Sequence, residues 1–240
     1  MKSKERHELK QNEFAVTAYG VADTIAANRT KVLGAVGILV VLLAIVGGAM
    51  MWNSHKANQA GAALGIAMAT AQGQVVPAST LPGAVQQAGT FPTEQARAEA
   101  AIKAFSEVAA SYPGTDAALA ASYHAASELM AAGRPAEAET AFAAVAGQAG
   151  DGMYAPLARL GQAEAMFAAG KTDEALKVYT DLSAARDGAL PVDGLLMQLG
   201  RVSLKAGKTS EARAAFKRVV DEFPESGYIA DAREQLAATN

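Results

Sequence analysis

Three hydrophobic patterns follow one another along this chain. From Val32 to Trp52 the sequence reads VLGAVGILVVLLAIVGGAMMW, 21 residues without a charge. At about 1.5 Å rise per residue, a helix of that length spans roughly 30 Å, the hydrocarbon thickness of a bilayer. No polar stripe interrupts the run, so the pattern predicts a transmembrane helix rather than the buried helix of a soluble core. Trp52 stands where an interfacial aromatic belongs. The next stretch, NSHKANQAGAALGIAMATAQ, has helix formers and no proline, and the helix continues or restarts there. GQVVPASTLPGAVQQAGTFPT then brings three prolines, three glycines and almost no charge, the composition of a loop or linker. From Glu94 onward apolar residues recur at helical spacing, with no alternating run of β-branched residues.

Within that last region one phrase is written three times. AGRPAEAETAF (132–142), AGKTDEALKVY (169–179) and AGKTSEARAAF (206–216) are 37 residues apart. Gly133, Gly170 and Gly207 keep the step, as do Glu137, Glu174 and Glu211, and Ala138, Ala175 and Ala212. The aromatics Phe142, Tyr179 and Phe216 extend back in register to Phe105. A fixed period in this range predicts a stacked array of helical pairs. The glycine ends one helix and permits the turn into the next. Lys-Thr after Gly170 and Gly207 offers a cap, and Pro135 pre-sets φ at the equivalent helix start. The glutamate favours the positive end of the helix dipole. The alanine, four residues before the aromatic, shares its face and lets another helix approach.

Composition narrows the function. The chain has 240 residues, 51% apolar but only 6% aromatic, with much of the apolar share alanine. A net charge of −3 gives no global basic field for nucleic acid. The absence of cysteine excludes disulfides and thiolate metal sites, and suits a cytosolic or a periplasmic protein equally. Lys2, Lys4, Arg6, Lys10, Arg29 and Lys31 precede the apolar run, whereas only Lys56 follows it before Arg97. Positive residues stay cytoplasmic, so the N-terminus is expected inside and the repeats outside, in the periplasm of a bacterium with two membranes. A cleavable signal peptide is the competing reading, with AGA at 60–62 as its cleavage site. The length of the run and Lys56 between run and site favour a retained anchor. The tail is either a short amphipathic helix at the inner surface or a solvated segment. Four segments are therefore expected: a cytoplasmic tail (1–31), a transmembrane helix (32–52), a juxtamembrane helix and linker (53–92) and an all-α repeat domain (93–240).

The repeats resemble the tetratricopeptide repeat. The third fits best, with Leu199, Gly200, Gly207, Glu211, Ala212, Phe216 and the closing Pro224. The second keeps Ala163, Gly170, Glu174, Ala175 and Tyr179, and the first keeps Ala126, Gly133, Glu137, Ala138 and Phe142. The step of 37 exceeds the family's usual 34, so the connecting loops, such as SAARDGALP, are lengthened. Ser122, Arg159 and Leu196 stand where the family has a large aromatic. The whole layout is similar to the ancillary translocon-subunit family (the YfgM-like proteins): a short tail, one span ending in WNSHKANQA, a following helix and an extracytoplasmic repeat domain. That resemblance implies an inner-membrane protein linked to the Sec translocon and to periplasmic chaperones. The phrase FPESGYIADAREQLA also resembles repeats of outer-membrane assembly lipoproteins, but those begin with a lipidated cysteine, which this chain lacks.

Chemistry-bearing motifs are sparse. His7, His55 and His124 have no metal-ligand spacing, and His124, on a repeat helix, is expected to be a packing residue. AGKT lacks the first glycine of a phosphate loop and recurs as a repeat turn. No catalytic, cofactor or metal residues are assigned, and no cofactor is expected. Instead, the repeat resemblance implies a concave groove on the first helix of each pair. Its positions are Tyr123, Ser127 and Met130; Leu160, Glu164 and Phe167; and Met197, Arg201, Leu204 and Lys205. The expected groove is largely apolar with one basic end, suited to adaptable contacts with partner proteins. Two functions follow: a non-enzymatic interaction module beside the translocon, holding a chaperone or emerging chain, or a scaffold of an envelope assembly that self-associates through Gly61, Gly65 and the repeat faces.

Overall fold

The computed structural model describes residues 28–78, 87–185 and 188–239. Lys2, Lys4, Arg6, Lys10 and His7, with the rest of the expected tail before residue 28, lie outside the described residues, as do 79–86 of the linker. Contacts divide the chain into two units, Met1–His55 and Lys56–Asn240.

The first unit contains the apolar run, residues 32–52. Helix α1 spans Arg29–Ala71, and its large apolar side chains from Leu33 to Trp52 lie exposed. By length and composition it is long and apolar enough to cross a membrane. In water such a surface would be costly, whereas in lipid it needs no partner.

The second unit is an all-helical array. The last turns of α1 supply its first element. Ala67 is buried with Phe105, Val108, Ala101, Ala121 and Ala125, and Ala63, Leu64 and Met68 pack at the margin of this cluster. Phe105, Val108 and Ala101 belong to α2 (Glu94–Ser111), and Ala121 and Ala125 to α3 (Asp116–Ala131). The half-repeat marked by Phe105 in the sequence is thus completed by the juxtamembrane helix. By its contacts this unit runs from Lys56 to Asn240. No repeat phrase marks the juxtamembrane stretch in the sequence.

Several polar ties hold it in place. Lys56 Nζ donates to the Pro113 carbonyl at 2.7 Å, and Arg97 Nη1 donates to the Ala71 carbonyl at 2.6 Å, satisfying an orphan acceptor at the helix end. The expected linker also contains a small parallel ladder. Strand β1 (Gln74–Val75) pairs with β2 (Thr90–Phe91), and Val76 N–H donates to the Phe91 carbonyl at 2.8 Å. Gly73 is required beside it, because a Cβ there would lie 2.4 Å from the Phe91 ring.

The pairs follow in order: α3 with α4 (Pro135–Gln148), α5 (Tyr154–Ala168) with α6 (Thr172–Ala184), α7 (Val192–Lys205) with α8 (Thr209–Glu222), and α9 (Ile229–Ala238) closing on α8. The registered aromatics Phe105, Phe142, Tyr179 and Phe216 are all buried, and Ala138, Ala175 and Ala212 are fully covered. Closest approach occurs at two glycines. A Cβ on Gly161 would fall 2.6 Å from the Phe142 ring, and one on Gly200 2.4 Å from the Phe216 ring.

The turns have one construction. Gly133, Gly170 and Gly207 adopt φ of +73°, +83° and +74°. Each donates its N–H to the carbonyl three residues back, while the next residue donates five residues back: Arg134 to Leu129, Lys171 to Met166 and Lys208 to Ser203, all at 2.9 Å. This is the Schellman arrangement, which uses the last free carbonyls of the helix. The expected threonine caps do not form. Lys171 and Lys208 occupy the N-cap positions without a side-chain cap, and Thr172 and Thr209 are already helical. Pro135 does stand in the first turn of α4, and side-chain caps come instead from Thr93 and Thr115.

The residue after each glycine has a role the repeat reading missed. Arg134 pairs with Glu99, Lys171 with Glu139 and Lys208 with Asp173, each reaching back to the second helix of the preceding pair. Solvent screens these pairs, so each adds little to stability by itself. The three cations recur at the 37-residue step, and their ties to the preceding pair favour one register between neighbours.

Two glycine replacements are expected to act in opposite directions. Gly200→Val, forced against the fully buried Phe216, lowers stability by about 1–3 kcal/mol. Gly147→Ala, in a helix with open space around it, raises stability by about 0.5–1 kcal/mol. Thermal unfolding followed by circular dichroism reads both.

Candidate partner-binding groove

The expected groove residues sit on α3, α5 and α7, the first helices of the three pairs. They do not form one continuous lining. Tyr123 is half-buried, its ring 5.6 Å from Phe142 and 5.5 Å from Tyr154, and Met130 packs against the same core. Ser127 Oγ donates to the Tyr123 carbonyl at 3.1 Å, closing a bond within α3. Leu160 leans on the core formed by Ala163, Ala175, Leu176, Tyr179 and Val202. Met197 departs furthest from expectation. Only 1% of its surface is exposed, among Leu196, Phe216, Val219 and Ala232. The turn of α7 that carries Leu196 and Met197 faces α8 and α9, so Met197 presents no groove surface.

The other five converge. Glu164 and Phe167 from α5, with Arg201, Leu204 and Lys205 from α7, line a cavity of about 480 Å3 together with Tyr179, Gln198 and Val202. The sequence contained a sign of two of the unforeseen members. Tyr179 is the only hydroxyl-bearing residue in an otherwise phenylalanine series. Gln198 lies one helical turn before Arg201, on the stripe that continues to Lys205. The volume falls within the roughly 300–1,000 Å3 of ligand pockets.

Charge in the cavity is unevenly compensated. Arg201 is paired with Asp231 of α9. Glu164 has no cation within ion-pairing reach among the described residues. Solvent reaches it, yet burial among the walls raises its carboxyl pKa above the ordinary value. Its charge is felt at two tyrosines. Burial, and then Glu164, raises the hydroxyl pKa of Tyr179 and also that of Tyr123. His124 lies outside the cavity. Its ring stacks on Phe105 at 5.2 Å, and burial lowers its pKa, as suits a packing residue. Among the described residues, no cluster of three His, Cys, Asp or Glu could hold a metal ion.

A second cleft, of about 610 Å3, opens where the lengthened loops meet, between Gly150–Met153 and the segment around Leu190, with Arg159 in its wall.

A family model for the tetratricopeptide repeat-like domain matches residues 26–237, taking in the apolar helix as well as the array. The chain belongs to the tetratricopeptide repeat-like domain family. Among solved structures it is similar to the nearly identical TPR-like repeats of a putative kinesin light chain from Podosopora anserina. The identity is 18% over 60% of this chain and 77% of that one, with a TM-score of 0.52. A single-substitution variant of that protein gives 17% identity, the same coverage and a TM-score of 0.50. At these identities the likeness concerns the fold. No curated protein matches the sequence. A tetratricopeptide repeat-like domain is a protein–protein interaction module, and this one carries its cavity between α5 and α7.

Truncation distinguishes core from lining. Met197→Ala is expected to lower unfolding stability by about 2–5 kcal/mol, and Lys205→Ala to change it by less than about 0.5 kcal/mol. Denaturant titration of both variants checks this.

Proposed function

We propose that the protein is a single-pass inner-membrane protein with a cytoplasmic N-terminus, whose periplasmic array binds polypeptide partners beside the Sec translocon. The cavity between Glu164, Phe167, Arg201, Leu204 and Lys205 carries this reading. It offers apolar walls, one compensated cation and hydrogen-bonding groups, a set suited to a side chain and its neighbouring backbone. The apolar, exposed face of α1 supports the anchor. Arg29 and Lys31 before the apolar run, with no basic residue between Lys56 and Arg97, support the orientation. Anchoring confines the groove near other membrane proteins and raises its effective concentration for them. The layout around WNSHKANQA points to the translocon and to periplasmic chaperones as those neighbours.

Photo-crosslinking in native membranes tests this. A photoreactive residue at Leu204 is expected to capture translocon subunits, a periplasmic chaperone or an emerging chain. The same group at Gly147, exposed on α4, should capture far less. Equal capture from both positions, or adducts only with unrelated proteins at Leu204, refutes the reading. Protease added to spheroplasts should degrade the array and leave the N-terminal tail protected.

A further inference from the structure

We infer that Glu164 makes the groove selective for extended polypeptide segments that place a lysine or arginine side chain beside an apolar residue. The inference rests on the groove reading above and names its guest.

Three observations carry it. First, Glu164 lines the cavity without a cation of its own among the described residues. The carboxylate is exposed on the cavity wall, so a guest cation can reach it and pair with it. Second, the cations already present do not reach it. Arg201 is held by Asp231, and neither Arg201 nor Lys205 contributes to the shift at Glu164, which comes from burial alone. Third, the surrounding walls suit the rest of such a segment. Phe167, Val202 and Leu204 offer apolar surface to the methylene stem of a lysine or arginine and to an apolar neighbour. The Gln198 amide can both donate to and accept from the backbone of an extended chain.

Long-range charge does not produce this preference. Glu164 and Asp231 balance Arg201 and Lys205, so the groove has little net field. Selection arises from a short-range, charge-assisted hydrogen bond to the carboxylate, roughly twice as strong as a neutral one. An acidic guest would find Lys205 but would bring a second negative charge toward Glu164. The basic guest is therefore favoured. Because burial raises the Glu164 pKa, the preference is fully present while the carboxylate is ionised. It fades as pH falls through that raised value.

The test uses the full chain in lipid nanodiscs and three fluorescein-labelled, leucine-containing peptides, identical except for a central Lys, Gln or Glu. By fluorescence anisotropy at neutral pH, the Lys peptide is expected to bind about threefold more tightly than the Gln peptide, and the Glu peptide most weakly. Glu164→Gln should bring the Lys peptide to the level of the Gln peptide. The thermal midpoint should hold nearly constant, which separates recognition from folding. Acidification should erase the same difference in the parent protein. Equal binding of all three peptides, preference for the Glu peptide, or a Lys preference that survives Glu164→Gln would overturn the inference and leave the groove reading standing. Failure of every peptide to bind would overturn both.

Discussion

Within and between the helical pairs of the array, aromatic rings press against residues with almost no side chain. Phe142 lies on Gly161 and Phe216 on Gly200, with Ala138, Ala175 and Ala212 fully covered nearby. Small residues let the helices approach, and the ring fills the space that remains. Neither half suffices alone. A helix rich in alanine buries little apolar area, and an isolated pair leaves its aromatic in water. Stacking solves both, because each neighbour contributes part of the enclosure. The turn glycines and the ion pairs at Arg134, Lys171 and Lys208 then act on geometry more than on energy, fixing where one pair ends and how the next is offset.

The groove is a by-product of this packing. Core demands claim one face of α7, where Leu196 and Met197 are buried. The stripe of Gln198, Arg201 and Lys205 is left for solvent and guests. Tyr179 belongs to both, its ring completing a core and also contributing to the cavity wall. Function here is confined to what the core does not use, so binding chemistry can vary along that stripe while the aromatic positions stay fixed.

How much of this could be read in the sequence follows from what each feature depends on. The array was legible because stacking requires the same residue type at every step, and Gly133, Gly170 and Gly207 keep that step through all three repeats. The apolar run was legible because it lacks charge. Three features were less so. The role of Met197 depends on the rotation of one helix against two others, and a methionine fits core or groove equally. The threonines after the turn glycines fit a cap by type, but the chain enters the helix one residue earlier. The juxtamembrane stretch carries no repeat phrase, and its place in the first core is decided by partners on α2 and α3. In the groove, Glu164, Phe167, Arg201, Leu204 and Lys205 were reachable by register. Gln198 and Tyr179 required knowing which side chains share one cavity.

The last turns of α1 have a consequence for how the array begins. Repeat arrays commonly need a terminal element with a solvated outer face to shield the first core. Here Ala63, Leu64, Ala67 and Met68 provide that shield over Phe105 and Val108. A fragment cut at residue 93 would therefore be born with an open end. Its first ring would face water, and the nearest remedy would be an equivalent helix borrowed from another molecule.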